Sequence, residues 1–250
     1  MSVVVRVWHP LKGVGLDALC SQLRLPRRIA VSPTIEEVHV RPFIFVVLTL
    51  AGVSPATKSS AATPRVFPLP AKVVASYAHV HHDYPATDIF AKCGSSALTP
   101  IDGRVLEVTR VDRWNARVDD PDTRGGRSVS ILGDDGVRYY LSHFRSVPAG
   151  IDPGVRVKAG DVVGEVGKSG NAVKAGCHIH FGLSPNCPTH EWQVRRGVLY
   201  PWPYLDSWRA GGDRSPAAAI TAWSQAHPNA CSEAVAALAG ASPAPSVSDS

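Results

Sequence analysis

The chain has 250 residues, a formal net charge of +5 and a hydrophobic fraction of 44%, which suits one globular domain with tails or two small ones. Residues 1–41 carry six Lys/Arg against three Asp/Glu, so most of the excess charge sits there; there is no basic stripe with interleaved aromatics, which excludes a nucleic-acid surface. With 21 glycines and 21 prolines, the composition favours a turn-rich all-β fold over a helical one.

The N-terminal region contains an apolar run at residues 43–53, Phe-Ile-Phe-Val-Val-Leu-Thr-Leu-Ala-Gly-Val. Eleven residues fall short of the about 20 that cross a bilayer as a helix. The run suits the apolar core of a signal peptide, with Ser59, Ser60, Ala61 and Ala62 as cleavage positions. Because some 40 residues precede it, translation is expected to start near Val38 or Val40; a secreted form retaining Met1 on N-terminal sequencing would refute this. The mature form is expected outside the cytoplasm, secreted or in the cell envelope, as a monomer without a stable membrane span. Residues 1–61 thus form an extension with a leader-like segment, 62–205 a domain, and 206–250 a C-terminal extension. Residues 54–66, rich in Ser, Ala, Thr and Pro, form a linker.

From Val66 to about Leu205 short apolar segments alternate with turn residues, as half-buried strands do. Thr99–Gly103 is a turn entering a strand at Arg104–Val111. Ser128–Leu132 and Val137–Leu141 flank Gly133-Asp134-Asp135-Gly136, a hairpin signal. Pro153-Gly154 and Ala159-Gly160-Asp161 punctuate the strand segments within Val155–Val166. The charged stretch 111–127 is expected as a long loop over one edge of the sheet. Two short helices are predicted at Pro216–His227 and Ser232–Ala239, with Ser232 capping the second; residues 241–250 are expected to be disordered.

Five cysteines, Cys20, Cys93, Cys177, Cys187 and Cys231, become four if Cys20 leaves with the leader. Four allow three pairings. The nearness of Cys177 and Cys187 makes that pair the expected disulfide, in an oxidising compartment.

Two clusters carry chemistry. The first runs from His81-His82-Asp83-Tyr84 to Asp88; the second is Cys177-His178-Ile179-His180-Phe181-Gly182. A His-x-His pair in a strand puts both imidazoles on one face, since side chains alternate with period 2. Cys177 then faces with Ile179, away from His180. Each cluster alone also reads as a surface loop or the polar face of a strand. Together, one His and one Asp from the first with one His from the second make a three-ligand zinc site that keeps an open position. No His-Glu-x-x-His helix is present, which excludes the common helical zinc-protease arrangement.

Residues 80 to 183 resemble the lysostaphin-type (LytM-like) zinc metallopeptidases of cell-wall turnover, in an actinobacterial branch. The resemblance rests on an ordered set: His82…Asp88, Gly103-Arg104-Val105, Tyr140-Leu141-Ser142-His143, Val157–Gly164 with Val166–Asn171, and His178-Ile179-His180-Phe181-Gly182. It implies a compact, mostly antiparallel β domain, sheet or barrel-sandwich-like, with the site in a groove on one sheet. It also implies one Zn2+ per chain, held by Asp88, His180 and an upstream His. The family spaces that His four positions before its Asp, where this chain has Tyr84; His82 is therefore the expected ligand, with His81 as alternative. His143 and His178 are implied as the catalytic pair beside the open position, His178 as first choice for the base and His143 for the oxyanion or leaving amine, with the roles interchangeable. The implied substrate is a peptide of peptidoglycan. Tyr84, Trp192 and Arg195 are candidates for lining its groove, with packing of the C-terminal helices as the other reading of the segment Trp192–Leu205.

Three other functions fit part of this pattern. A non-catalytic relative would bind peptidoglycan or activate an amidase through the same groove, but such proteins lack ligands or a catalytic His. A lipoyl- or biotin-carrier-like domain would not need His178 or His180. A metal-storage protein would show a saturated ligand set.

Overall fold

The computed structural model describes residues 64–188 and 191–240. The leader-like run, the expected start near Val38 or Val40, most of the 54–66 linker and the expected disorder of 241–250 lie outside those residues.

The described chain is mostly antiparallel β-sheet. The strands are β1 (Ala75–Ser76), β2 (Thr87–Ala91), β3 (Ser96–Leu98), β4 (Gly103–Thr109), β5 (Ser128–Gly133), β6 (Val137–Ser142), β7 (Arg156–Val157), β8 (Val162–Glu165) and β9 (His178–Pro185). Seven of them form one sheet in the order β1-β2-β9-β6-β5-β4-β7, and β3 pairs with β8 in a second, two-stranded sheet. The β5–β6 hairpin turns at the predicted Gly-Asp-Asp-Gly, where Gly136 has φ +78°, a conformation glycine takes without cost. The loop 111–127 emerges between β4 and β5, as the charge run suggests.

One face of the large sheet is the core. Val129 and Ile131 from β5, Tyr139 and Leu141 from β6, and Ile179, Phe181 and Leu183 from β9 are all fully buried there. Phe144, Val163 and Val166 cover them from the two-stranded side. On the opposite face, Arg138, Ser142, His178, His180 and Ser184 are buried too. Strands β6 and β9 are therefore covered on both sides, and the alternation that exposes polar residues in an ordinary antiparallel strand here points them into a covered groove.

Four helices follow the sheet: α1 (Trp192–Arg195), α2 (Trp202–Arg209), α3 (Ala217–Ala226) and α4 (Ala230–Gly240). The first two are not anticipated by periodicity, because α1 is a single turn and α2 begins at Trp-Pro within an aromatic run. Helix α2 contributes Tyr204, Leu205 and Trp208 to the core, and α3 contributes Ile220. Helix α4 starts two residues before Ser232, so the expected cap is corrected: Ser232 lies inside the helix and its hydroxyl donates to the Asn229 carbonyl at 2.8 Å. No helix among the described residues is long and apolar enough to cross a membrane.

The expected Cys177–Cys187 disulfide is also corrected. Cys93 pairs with Cys177, and Cys187 pairs with Cys231. The two nearest cysteines sit at opposite ends of β9, whose eight extended residues separate them by roughly 25 Å at about 3.3 Å per residue. Cys177 instead faces the end of β2, where the Ala91 amide donates to its carbonyl.

Candidate metal centre and groove

Strand register assembles the site. Asp88 of β2 pairs with His180 of β9, Phe90 with His178, and Ser142 of β6 with His180 from the other side. Residues two apart share a face, so Asp88, Phe90, His178, His180, Tyr140 and Ser142 all project to the side away from the core. His143 is the exception that completes the set. Simple alternation would send it to the face opposite Ser142. Its φ of +65°, unusual for a non-glycine residue, re-aims the ring, and the imidazole packs edge-on 4.9 Å from that of His178. Phe144 then takes the core position.

His81 enters from the loop before β2, its ring 5.2 Å from that of His180 and 4.5 Å from Tyr84. Its side chain is 5% exposed, whereas His82 is exposed. Both donate an atom to a cluster with Asp88 in which the ligand atoms lie within 4.8 Å of one another.

Each of the four inward histidines has one ring nitrogen against a main-chain carbonyl. Nδ1 of His81 meets the Tyr84 oxygen at 3.2 Å, Nδ1 of His143 meets Ser169 at 2.9 Å, and Nδ1 of His178 meets Gly176 at 2.8 Å. For His180 it is Nε2, 2.8 Å from the Arg196 oxygen. A carbonyl only accepts, so these nitrogens carry the protons, and the tautomers follow from the network. The other nitrogens are left with lone pairs. Three of them turn toward one carboxylate: His180 Nδ1 is 3.1 Å and His81 Nε2 3.6 Å from Asp88 Oδ1, and His178 Nε2 is 4.0 Å from Asp88 Oδ2. Lone pairs facing a carboxylate repel unless a proton or a cation lies between them. The first two separations also match the ~3.3 Å edge expected of a tetrahedral zinc site with bonds of about 2 Å. The donor set therefore fits a zinc ion, with the distal nitrogens held by carbonyls as metal-binding histidines are.

Burial pushes the Asp88 carboxyl toward higher pKa, and the hydrogen bonds and positive charge that His180 and His81 bring when protonated outweigh that and hold it well below the usual carboxylate range. Burial pushes His143 down to about 3, and the neighbouring His180 and His178 act in the same direction. Burial likewise raises the Tyr84 phenol.

Over this face lies a groove of ≈ 400 Å³, lined by Asp88 and the four inward histidines and by Tyr84, Phe90, Trp192, Arg195 and Arg196 among others. Its far wall is the loop 111–127, anchored by Asp112 accepting from the Gly170 amide at 2.8 Å and by the Asn171 amide donating to Arg124 at 3.0 Å. Trp192 and Arg195 line the groove, but Arg195 is committed: its guanidinium sits 2.9 Å from Asp122 and 3.5 Å from Glu107, over the Tyr140 ring. Arg196, Ser142 and Phe90 are groove residues that sequence reasoning did not single out. Nothing in the Arg-Arg doublet distinguishes the two side chains. The Arg196 carbonyl reaches His180 because Gly182 has no side chain; a Cβ there would overlap that oxygen.

The chain is 28% identical over 156 residues to the L-Ala–D-Glu endopeptidase of Bacillus subtilis (strain 168), covering 57% of this chain and 43% of that protein. It thus spans less than half the length of that relative. Among solved structures it is similar to the catalytic domain of lysostaphin from Staphylococcus simulans, at 21% identity and a TM-score of 0.41 over 53% of this chain and 93% of that one. A zinc-containing peptidase from Vibrio cholerae matches at 17% identity and a TM-score of 0.38, over 54% and 38% of the two chains. Residues 82–191 match the model described as peptidase family M23; over that segment, which is less than half of the chain, the protein is similar to members of that family.

Proposed function

We propose that this protein is a zinc-dependent endopeptidase that hydrolyses peptide bonds of bacterial peptidoglycan outside the cytoplasm. The observation that carries the proposal is the turning of three histidine lone pairs toward Asp88, with His143 alongside. A storage site would saturate the ion, whereas this reading leaves two further histidines beside three ligands. The relative from Bacillus subtilis is named for a bond between an L- and a D-residue; such bonds belong to wall peptides rather than to ribosomal proteins. Two disulfides support an oxidising, extracytoplasmic setting.

In this reading His81, Asp88 and His180 hold the zinc, which when bound supplies Lewis acidity to a carbonyl and to water. His81 is preferred to His82 because its Nε2 faces Asp88 from a buried position. His178 accepts the water proton at Nε2; Asp88, 4.0 Å away, favours the resulting imidazolium, which then protonates the leaving amine. His143, kept neutral by burial, orients the water by accepting a hydrogen bond at Nε2. The Ser169 and Gly176 carbonyls hold both rings in the required tautomer.

Zinc content and cleavage of purified wall peptides by the full chain, beside Asp88→Ala, test the proposal. One zinc per parent chain with new free amines, both absent from the variant, is the expected result. Zinc without cleavage of any wall preparation would refute the hydrolase, and a folded parent that takes up no zinc would refute the metal centre.

A further inference from the structure

Three arginines line the groove, and two are already paired. Arg124 makes two hydrogen bonds to the Asp119 carboxylate, at 3.0 and 2.7 Å, and Arg195 is held by Asp122 and Glu107. Arg196 has no carboxylate partner among the described residues. Its guanidinium is instead stacked between two rings, 3.9 Å from the centroid of Tyr84 and 4.7 Å from that of Trp192. Its Nε is buried and without a hydrogen-bond partner among the described residues. Stacking uses the faces of a guanidinium and leaves open the edge that bears its two terminal nitrogens, and that edge matches a carboxylate bidentately.

The position of this cation defines what it can recognise. Tyr84 lies against it on one side and against His81 and His180 on the other, the last at 5.8 Å between centroids. The guanidinium is therefore one aromatic ring from the metal centre. Along the chain from Tyr84, past Asp88, the groove is lined by Phe90, which is 41% exposed and packs on His178, with Ala172 and Ala175. One end of the groove is thus cationic and hydrogen-bonding, and the other is apolar.

We propose that Arg196 is the substrate-carboxylate receptor of this groove, so that the protein selects peptides with a free carboxylate on a residue next to the scissile bond and a small apolar residue across it. This rests on the peptidase reading above, and deepens it by naming the substrate class and the residue that determines it. The stack fixes the side chain before substrate arrives, which reduces the ordering cost of binding. A charge-assisted pair of this kind corresponds to roughly ten- to hundredfold in affinity.

The test uses a wall stem peptide with its carboxylates free and the same peptide with those carboxylates amidated, on the full chain, Arg196→Gln and Arg196→Lys. Binding is read by titration calorimetry on the zinc-free proteins, where no turnover intervenes, and kcat/KM is read on the zinc-loaded ones. The parent is expected to bind and cleave the free-carboxylate peptide ten- to hundredfold better. That preference should fall to within about threefold in Arg196→Gln and stay intermediate in Arg196→Lys, which keeps the charge and loses the fork. A parent without preference, or an Arg196→Gln protein that retains it, overturns the receptor. A parent that binds selectively and cleaves neither peptide overturns the peptidase reading and leaves the receptor standing. If Arg196→Gln fails to fold by circular dichroism, Arg196→Lys decides: a preference reduced below the parent's supports the receptor and an undiminished one overturns it.

Discussion

At the scale of single residues, the division of labour among the histidines is the point most open to experiment. Asp88→Ala and His180→Ala should lose zinc and activity together, because in the proposed assignment each removes a ligand, and the first also leaves the remaining lone pairs without their common partner. His143→Ala and His178→Ala should keep about one zinc per chain and lower kcat by roughly 10²–10⁴, the range of a proton-transfer group; metal content by atomic absorption beside turnover separates the two classes. His81 and His82 are adjacent but not equivalent. His81 is buried, tethered by the Tyr84 carbonyl and aimed at Asp88, whereas His82 is exposed. Substituting His81 by Ala should weaken zinc binding by at least about a hundredfold, whereas His82→Ala should change it by less than about tenfold, as read by competition with a chelator. The opposite order would make His82 the ligand. Spacing alone favours His82, the nearer of the two to Asp88, and the proposed preference for His81 depends on the conformation of a loop two residues longer than the family spacing.

At the scale of elements, a buried ion pair holds the groove wall. Arg138 of β6 and Glu191 are 1% and 0% exposed at their side chains and lie 2.6 Å apart. The second Glu191 oxygen accepts from the Val194 and Arg195 amides and so starts α1, and Arg138 also donates to the Cys187 carbonyl. This one contact ties the turn bearing Trp192, Arg195 and Arg196 to the central sheet. Removing one partner of such a pair costs about 3–5 kcal/mol, since the other charge is left buried. Glu191→Ala should therefore lower Tm by several degrees, and peptide affinity should fall with it as α1 loses its anchor; calorimetric melting with and without wall peptide measures both. None of this is visible in the sequence, where Arg138 lies in an apparently ordinary alternating strand and Glu191 in a turn. The loop 111–127 shows the reverse case. Its length and charge mark it as a surface segment, and the structure sets it as the far wall of the groove because Gly126 and Gly170 let two backbones meet without side chains between them.

At the scale of the whole molecule, the two disulfides close loops of 84 and 44 residues. Cross-links of that span stabilise by roughly 4 kcal/mol each in the chain-entropy model, through the unfolded ensemble. The first joins the ends of the strands that carry Asp88 and the His-x-His pair, and the second fastens α4 beside α1. Cys93→Ser with Cys177→Ser should lower Tm and raise proteolytic susceptibility around β2, while Cys187→Ser with Cys231→Ser should free the C-terminal helix and spare zinc binding. Limited proteolysis followed by mass spectrometry distinguishes the two patterns. Reduction of the parent should reproduce their sum.

Legible in the sequence alone are the β class, the hairpin at Gly133–Gly136, the helical character of the C-terminal segment and the presence of a His/Asp cluster together with a His-x-His strand. Each of these is written in local periodicity, turn chemistry or residue type, which do not need the rest of the chain to be read. Tertiary structure alone decided the disulfide partners, because an extended strand holds Cys177 and Cys187 apart and brings each to a residue distant in sequence. It also decided that His143 turns into the site against the strand alternation, and that Arg195 is paired while Arg196 stays open at the edge that bears its two terminal nitrogens. Those outcomes depend on which surfaces meet when β2, β6, β9 and α1 pack together, and a meeting of that kind leaves no periodic trace along the chain.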